Sequence, residues 1–281
     1  MTANSSEAGI VRASEYSLVE LMCIQAARET AGAGVAFVGL GLPVLTTTLT
    51  KVHHDRALIF NTEVGVMDWD PPLAEVDHAP NGIADPLLNR GAAYVGDMVD
   101  TLCSLLMGGR VELAILSGAQ VDRYGNLNAL MIGEDRLFPE KRLRGSGGNT
   151  DAACLAPRVL TVMSLEPRRF VERVSFLTSP GYIDGPGARA AAGLEPQGPN
   201  LVVSTMGVFD FDTPDGGETG SCELRLTKVF PGIEADVIDA MLPWPLLVAD
   251  DLERVEAPSE DELRVLRALD PQRVNLAEGR Y

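Results

Sequence analysis

GVAFVGLGLP, residues 34–43, carries the clearest structural signal in this 281-residue chain. Its apolar portion VAFV predicts a short buried strand, Gly39 and Gly41 predict a tight turn, and Pro43 suits the first turn of a helix. A second apolar run, Ala57–Phe60, follows that helix. The order of strand, helix and strand predicts two parallel strands that are joined by a right-handed crossover.

The rest of the chain continues this alternation. Further strands are predicted at Leu113–Leu116, Val159–Met163, Val174–Leu177 and Leu201–Ser204, with an antiparallel hairpin over Gly207–Val229. Helices are predicted over Ser14–Ala31, Gly96–Met107 and Ser259–Leu269, the last with a capping box formed by Ser259 and Glu262. This pattern predicts an open three-layer α/β/α fold with a mostly parallel sheet. We expect a disordered lead-in at residues 1–13 and a single domain over residues 14–281.

Composition and charge argue against several functional classes. Apolar residues make up 46% and charged residues 22% of the chain, as in ordinary globular proteins. Its 23 basic and 40 acidic residues give a net charge of −17, which lacks the basic footprint of nucleic-acid-binding proteins. No apolar run approaches the ~20 residues that span a bilayer. We therefore expect a cytoplasmic protein with no nucleic-acid partner and no membrane partner.

Cysteine and histidine spacing gives no sign of a disulfide or a metal site. The chain has four cysteines that are far apart in the sequence: Cys23, Cys103, Cys154 and Cys222. The spacing favours reduced, core-filling thiols over a disulfide pair. The three histidines form neither an HExxH nor an HxH motif, so no metal site is expected. The adjacent His53 and His54 are expected to be solvated at a helix end.

A carboxylate stands at one predicted strand end. In IFNTEVGVMD, residues 59–68, Glu63 lies between an apolar run and the turn-forming Gly65. Strand ends of parallel α/β sheets open into the ligand crevice, so this carboxylate is expected to face a substrate. Such a carboxylate can act as a nucleophile or as a general base, or it can be a solvated loop residue.

Glycine-bearing loops are expected to gather around Glu63. Four of them are predicted to meet at the same edge of the sheet: residues 39–43, 62–68, 117–128 and 145–149. The backbone N–H groups of Ser146, Gly147 and Gly148 can form an anion-binding nest or an oxyanion hole. The amide of Gln120 can donate to a carbonyl oxygen or an oxyanion. A lone GSGG string usually marks a plain turn, so the prediction depends on the convergence of the loops.

Basic residues stand close to this glycine-rich segment. Arg136, Lys141, Arg142 and Arg144 fall within nine positions of a chain whose net charge is −17. They form either a solvated face or a grip on a phosphate or carboxylate. The functional interpretation is favoured because the cluster is a local exception to the charge of the chain.

Several strings together carry a resemblance to a known family. In chain order they are VGLGLP, TEVGVMD, SGAQVDRYGNLN, RGSGGN and TSPGYIDGPG. They resemble the B subunit of glutaconate CoA-transferase, within class I CoA-transferases, over about residues 14–271. Other class I enzymes carry Glu-Asn-Gly at the nucleophile, whereas here Val64 stands between Glu63 and Gly65.

The resemblance implies both an activity and an assembly. It implies transfer of coenzyme A, as substrate, between an acyl-CoA and a carboxylic acid through a glutamyl-CoA thioester on Glu63. It also implies an A-subunit partner, with the active site between the two subunits. The loops and the basic cluster described above supply the other candidate site residues: Gly39, Gly41, Gly65, Gln120, Ser146, Gly147 and Gly148 for acyl-CoA or oxyanions, and Arg142 and Arg144 for CoA or a carboxylate. The alternatives are a CoA-thioester hydrolase or decarboxylase with Glu63 as base, and a non-catalytic partner subunit.

Overall fold

A computed structural model describes residues 16–277 apart from residues 71, 72, 74, 75, 81 and 83, so the predicted lead-in at residues 1–13 lies outside the described residues. The strands are β1 Val35–Val38, β2 Ile59–Asn61, β3 Val66–Trp69, β4 Ala92–Val95, β5 Leu113–Leu116, β6 Gln120–Val121, β7 Leu127–Asn128, β8 Met131–Ile132, β9 Lys141–Arg142, β10 Val159–Val162, β11 Leu201–Val203, β12 Gly207–Phe211, β13 Leu224–Val229 and β14 Leu247–Arg254. The α-helices are α1 Leu18–Thr30, α2 Leu42–Leu49, α3 Asn149–Leu155, α4 Ala188–Ala191, α5 Ala235–Asp239 and α6 Glu260–Leu269. Wider π-helical turns span Thr50–His54 and Val99–Met107, and a 3-10 turn spans Pro86–Asn89.

Within the described residues, ten strands form one sheet in the order β14-β13-β12-β11-β10-β5-β1-β2-β3-β4. Its centre, from β11 to β2, is parallel, and β13 also pairs in parallel with β14. Antiparallel pairs join β2, β3 and β4 on one side and β11, β12 and β13 on the other. The antiparallel pairing of β12 with β13 confirms the hairpin predicted over Gly207–Val229.

Two apolar cores cover the two faces of the sheet. One lies under α1, α2 and α6, with Leu21 and Leu266 fully buried. The other lies under α3 and the Val99–Met107 segment, where Leu106 and Ala152 are buried. Helices on both faces make the three layers of an open α/β/α fold, which confirms the predicted fold class.

The first strand–helix–strand unit forms as predicted. Strands β1 and β2 pair in parallel with Val35 opposite Ile59. Between them, α2 begins after Gly41, whose φ of 84° suits glycine, and Pro43 occupies the first turn of the helix. The second strand is shifted towards the C-terminus relative to the predicted Ala57–Phe60. Its carboxyl end therefore leads directly into the turn that contains Glu63.

Two local predictions are wrong. Residues 174–177 do not form a strand: the backbone N–H of Ser175 donates to the Gln120 side chain (3.0 Å) and not to a neighbouring strand. Helix α1 starts later than predicted, because Ser17 and Glu20 form its capping box. The Ser-x-x-Glu spacing at residues 17–20 is the stronger start signal.

The cysteines are free, as expected from their spacing. Cys23 and Cys222 are buried, and burial raises the pKa of the Cys23 thiol to about 12. Cys154 is half-buried and Cys103 is exposed, so the core-filling expectation is wrong for Cys103. That residue lies on the solvent side of the Val99–Met107 segment.

None of the helices in the described part of the chain combines the length and the apolar character that a membrane crossing requires.

An ion pair docks the last helix onto the first. The Arg28 guanidinium donates to both carboxylate oxygens of Glu262 at 2.8 Å, and the Ser259 N–H donates to Oε2 at 2.7 Å. Burial by itself raises the pKa of Glu262, but the hydrogen bonds from Arg28 and Ser259 outweigh it and lower that pKa from 4.5 to about 2. The ionised carboxylate therefore stabilises the folded state above pH 4.5, and this stabilisation is lost as the pH falls from 4.5 towards 2.

Replacement of Glu262 by glutamine is expected to lower the free energy of unfolding at pH 7 by about 2–3 kcal/mol, because Arg28 is left without its anion. The variant should also lose stability less steeply than the wild type between pH 4.5 and pH 2. Urea denaturation across this pH range measures both effects. Asp261→Asn is the matched control, since Asp261 is an exposed neighbour paired with Arg264 and should change stability by less than about 0.5 kcal/mol. Equal effects of the two substitutions would contradict the assigned role of the ion pair.

Candidate active site

Glu63 lies in the tight turn that joins β2 to β3. The Thr62 N–H donates to the Val66 carbonyl (2.9 Å), and the Gly65 N–H donates back to Thr62 (3.2 Å). Gly65 has a φ of 101°, and a Cβ at this position would collide with the backbone of Gly96, whose N–H donates to the Gly65 carbonyl (2.9 Å). The turn therefore needs a glycine two residues after Glu63 for conformational and steric reasons.

The glycine-rich segment before α3 holds the Glu63 carboxylate. The backbone N–H of Gly148, the N-cap of α3, donates to Oε2 of Glu63. Gly147 has a φ of 50°, and a Cβ placed on it would collide with the same carboxylate. Glu63 is half-buried and in contact with backbone at this point. The segment therefore fits the carboxylate only because it lacks side chains here.

The carboxylate forms part of the wall of an open cavity of about 860 Å³. The structure brings the following predicted residues together in its lining: Gly39, Gly41, Glu63, Arg142, Arg144, Ser146 and Gly147. Strands β5, β1 and β2 are adjacent and parallel, so the loops that follow them reach the same edge of the sheet. Residues 145–147 lie in the same lining, shortly before α3 begins at Asn149.

Three other predicted residues lie outside the cavity lining. Gly65 shapes the Glu63 turn, and Gly148 contacts Glu63 through its N–H. Gln120 is buried, and its side-chain oxygen accepts hydrogen bonds from Asn128 (2.7 Å) and from the Ser175 N–H (3.0 Å). The amide of Gln120 thus ties β6 to two neighbouring segments.

The rim of the cavity is basic. Lys141, Arg142 and Arg144 line it and are exposed. Arg136, the fourth residue of the predicted basic cluster, lies elsewhere, with its guanidinium 5.3 Å from the centroid of the Phe176 ring. The cluster therefore divides into three cavity residues and one that stacks on an aromatic ring.

The sequence patterns missed two residues around the site. Arg169 lines the cavity, and its guanidinium donates to Glu166 (3.3 Å) and to the Gly118 carbonyl (3.4 Å). Burial lowers the pKa of Arg169, because its charge loses hydration. Thr101 is fully buried and donates from Oγ1 to the Glu63 carbonyl oxygen at 2.8 Å. Neither residue belongs to a motif, and each reaches the site only through the fold.

A group of potential metal-ligating side chains lies away from the cavity. Across the residues that the structure describes, the group consists of His53, His54 and Glu262, whose ligand atoms lie within 4.8 Å of one another. Glu262 already accepts two hydrogen bonds from Arg28. A metal cation would have to displace the Arg28 guanidinium in order to bind Glu262. His54 is partly buried, which corrects the expectation that both histidines are solvated, and burial lowers its pKa. The absence of a metal site stays a prediction.

Comparisons with known proteins agree with the five motifs. A family model described as coenzyme A transferase matches residues 27–238. The chain is 32% identical over 257 residues to the B subunit of 3-oxoadipate CoA-transferase from Pseudomonas knackmussii, covering 92% of this chain and 94% of the relative. It is 32% identical over 265 residues to the B subunit of glutaconate CoA-transferase from Acidaminococcus fermentans, with coverages of 91% and 93%. The crystal structure of glutaconate coenzyme A-transferase from Acidaminococcus fermentans matches with a TM-score of 0.81 and 27% identity, covering 93% of this chain and 98% of that one.

Proposed function

The chain belongs to the coenzyme A transferase family, and on this premise we propose that it is the B subunit of a heteromeric class I CoA-transferase. The proposed enzyme moves CoA, as substrate, from an acyl-CoA to a carboxylic acid through a thioester on Glu63. The observation that carries the proposal is the Glu63 carboxylate, held by the Gly148 N–H at the wall of a cavity of about 860 Å³. No step of this reaction calls for a metal.

The proposed reaction uses Glu63 as a covalent nucleophile. Its carboxylate attacks the thioester carbonyl, the CoA thiolate leaves, and an acyl-glutamyl anhydride forms. The thiolate then attacks the glutamyl carbonyl of the anhydride, which releases the donor acid and leaves a glutamyl-CoA thioester. The acceptor carboxylate attacks this thioester, and the thiolate attacks the acyl carbonyl of the new anhydride, which restores the Glu63 carboxylate.

The Gly148 hydrogen bond suits the second of these steps. When the thiolate attacks the glutamyl carbonyl, negative charge develops on a Glu63 oxygen. The Gly148 N–H already donates to Oε2 in the resting enzyme. A donor is therefore in place at that oxygen before the oxyanion of the tetrahedral intermediate forms. One such preorganised donor is worth about 2.7–4 kcal/mol in other enzymes. Oε1 is then the oxygen that attacks the acyl-CoA.

The basic rim is proposed to hold the phosphates of CoA. Lys141, Arg142 and Arg144 place positive charge at the cavity mouth of a chain whose net charge is −17. Guanidinium groups suit phosphate because they donate two parallel hydrogen bonds. Local positive charge of this kind can attract an anionic ligand to a protein whose net negative charge would otherwise repel it.

Replacement of both Arg142 and Arg144 by glutamine is expected to raise KM for an acyl-CoA by about tenfold or more while kcat changes little. The matched control is Arg136→Gln, which removes a basic residue of the same segment that lies outside the cavity. Initial rates with an acyl-CoA and with the corresponding acyl-pantetheine, which lacks the nucleotide, measure the effect. The increase should disappear with acyl-pantetheine. An equal increase for both substrates, or for Arg136→Gln, would contradict phosphate binding.

An A-subunit homologue is proposed to complete the site. Large apolar side chains are exposed on β4 and on the segment that follows it, among them Tyr94, Val95, Met98 and Val99. This surface adjoins the Glu63 turn, because Gly96 within it donates to Gly65. Exposed apolar clusters of this kind mark protein interfaces. The free cysteines suit the reducing cytoplasm, which we propose as the location.

Co-expression with an A-subunit homologue tests the proposed function. The purified pair should exchange CoA between an acyl-CoA and an added carboxylic acid, and should leave the acyl-CoA largely intact when no acid is present. Consumption of acyl-CoA without an acceptor would identify a hydrolase, and release of carbon dioxide would identify a decarboxylase. A pair with a competent A-subunit homologue that turns over none of these would identify a non-catalytic partner.

A further inference from the structure

The backbone of Glu63 is held by a residue outside its own turn. Thr101 is fully buried, and its Oγ1 donates to the Glu63 carbonyl oxygen at 2.8 Å across 38 positions of sequence. We propose that Thr101 is a positioning residue for the Glu63 nucleophile, an inference that rests on the proposed function. Thr101 touches no substrate in this proposal, and its effect on the reaction passes through Glu63.

The hydroxyl of Thr101 controls a peptide plane that the turn itself does not hold. The hydrogen bonds within the turn engage the N–H groups of Thr62 and Gly65, at its two ends. The Glu63 carbonyl lies between them and takes its hydrogen bond from Thr101. Rotation of the peptide that follows Glu63 would break this bond and leave a partly buried carbonyl without its partner, which costs free energy. Thr101 therefore sets the direction in which the Glu63 side chain leaves the backbone.

The segment that carries Thr101 has its own anchors. Gly96 donates to Gly65 (2.9 Å), which ties the segment to the turn through backbone alone. The Asp100 carboxylate accepts hydrogen bonds from the Tyr94 hydroxyl (2.9 Å) and from the Asp97 N–H (3.1 Å). Loss of the Thr101 hydroxyl therefore leaves the segment attached to the turn. The hydroxyl also lies 3.4 Å from the Met98 carbonyl oxygen and 3.5 Å from that of Asp97, but its shortest hydrogen bond is the one to Glu63.

Thr101 and Gly148 hold the two ends of the nucleophile. Gly148 fixes the carboxylate through Oε2, and Thr101 fixes the main chain through the carbonyl. A glutamate side chain has three rotatable bonds, so a carboxylate anchored at one end alone samples several positions. Anchoring at both ends favours a single attack geometry, and small displacements of a reacting group carry large rate penalties.

The test compares Thr101→Val, which keeps the shape and removes the hydroxyl, with Thr101→Ser, which keeps the hydroxyl. In the enzyme paired with its A-subunit partner, Thr101→Val is expected to lower kcat and the single-turnover rate of glutamyl-CoA formation by about 10- to 30-fold, with KM for acyl-CoA within about threefold of wild type. Thr101→Ser should recover these rates to within about threefold, because the donor is restored. The matched control is Thr48→Val, which removes another buried threonine hydroxyl, bonded to the Val44 carbonyl (2.7 Å) within α2.

The outcomes separate this inference from the proposed function. Wild-type kcat in Thr101→Val, a loss no larger than that of Thr48→Val, or a loss that Thr101→Ser does not recover would overturn the positioning role alone. Wild-type enzyme that neither exchanges CoA nor forms the glutamyl thioester would overturn the proposed function, and the positioning role with it. If Thr101→Val proves insoluble, kcat and KM of Thr101→Ala and Thr101→Ser decide the question in the same way.

Discussion

Replacement of Glu63 by glutamine is expected to reduce CoA transfer by the paired enzyme at least about a thousandfold, the largest effect of any single substitution in this chain. The amide has nearly the shape of the carboxylate, and its oxygen can still accept the Gly148 N–H. It lacks the negative charge that attacks a thioester, so no anhydride and no glutamyl-CoA thioester form. Steady-state exchange of CoA between an acyl-CoA and an acceptor acid measures the loss.

Two further substitutions frame this result. Glu63→Asp keeps the negative charge, but its side chain is shorter by one methylene and places the carboxylate further from the substrate. We therefore expect an intermediate loss of transfer activity, of about a hundredfold. Glu112→Gln is the matched control, because Glu112 also accepts a glycine N–H, from Gly34 (3.2 Å), and is not part of the cavity lining. It should retain activity. Full activity of Glu63→Gln with the A-subunit partner would falsify the nucleophile assignment.

Replacement of Gly147 by alanine is expected to lower kcat by about a hundredfold, because a 1 Å displacement of a reacting group can have that effect. The added Cβ would collide with both oxygens of the Glu63 carboxylate. The carboxylate has to move away from Gly148, which breaks the hydrogen bond to Oε2. Steady-state kcat, with thermal unfolding recorded in parallel, measures the effect.

Gly145→Ala is the control within the same segment. Gly145 has a φ of 100°, and a Cβ there meets no atom within 4 Å. Both substitutions place an L-residue at positive φ, and the strain is greater at Gly145, because its φ of 100° lies further from the left-handed region than the φ of 50° at Gly147. They differ in the contact with Glu63. A comparable fall in kcat for the two variants would indicate that backbone strain, and not displacement of the carboxylate, limits the reaction.

The parts of the fold that could be predicted are those that depend on local sequence patterns. The VAFV strand, the Gly41 turn and the α6 capping box at Ser259 each follow from residues that are neighbours in the sequence. Residues 174–177 have an apolar composition typical of a strand, yet a side chain from Gln120 takes their hydrogen bond. No local pattern signals that competition, because Gln120 lies 55 positions away.

The candidate site divides in the same way. Glu63 and the glycine-rich loops could be found because strand ends and glycines have positional meaning in a parallel sheet. Thr101 and Arg169 could not be found from the sequence. A threonine in an apolar helix and an arginine three residues after Glu166 are both common, and neither indicates a functional site. Their roles depend on contacts that the fold creates across many residues. The sequence predicts a single basic cluster, and the fold separates Arg136 from it.

A covalent thioester between Glu63 and CoA is the central feature of the proposed mechanism, and trapping it is the most direct test. The paired enzyme is incubated with an acyl-CoA in the absence of an acceptor acid, treated with borohydride, digested and mapped by mass spectrometry. We expect that Glu63 is converted to the primary alcohol, that hydroxylamine gives the hydroxamate at the same residue, and that Glu63→Gln shows neither product. An unmodified Glu63 peptide from enzyme that is turning over acyl-CoA would contradict the covalent mechanism and would assign this carboxylate the role of a base.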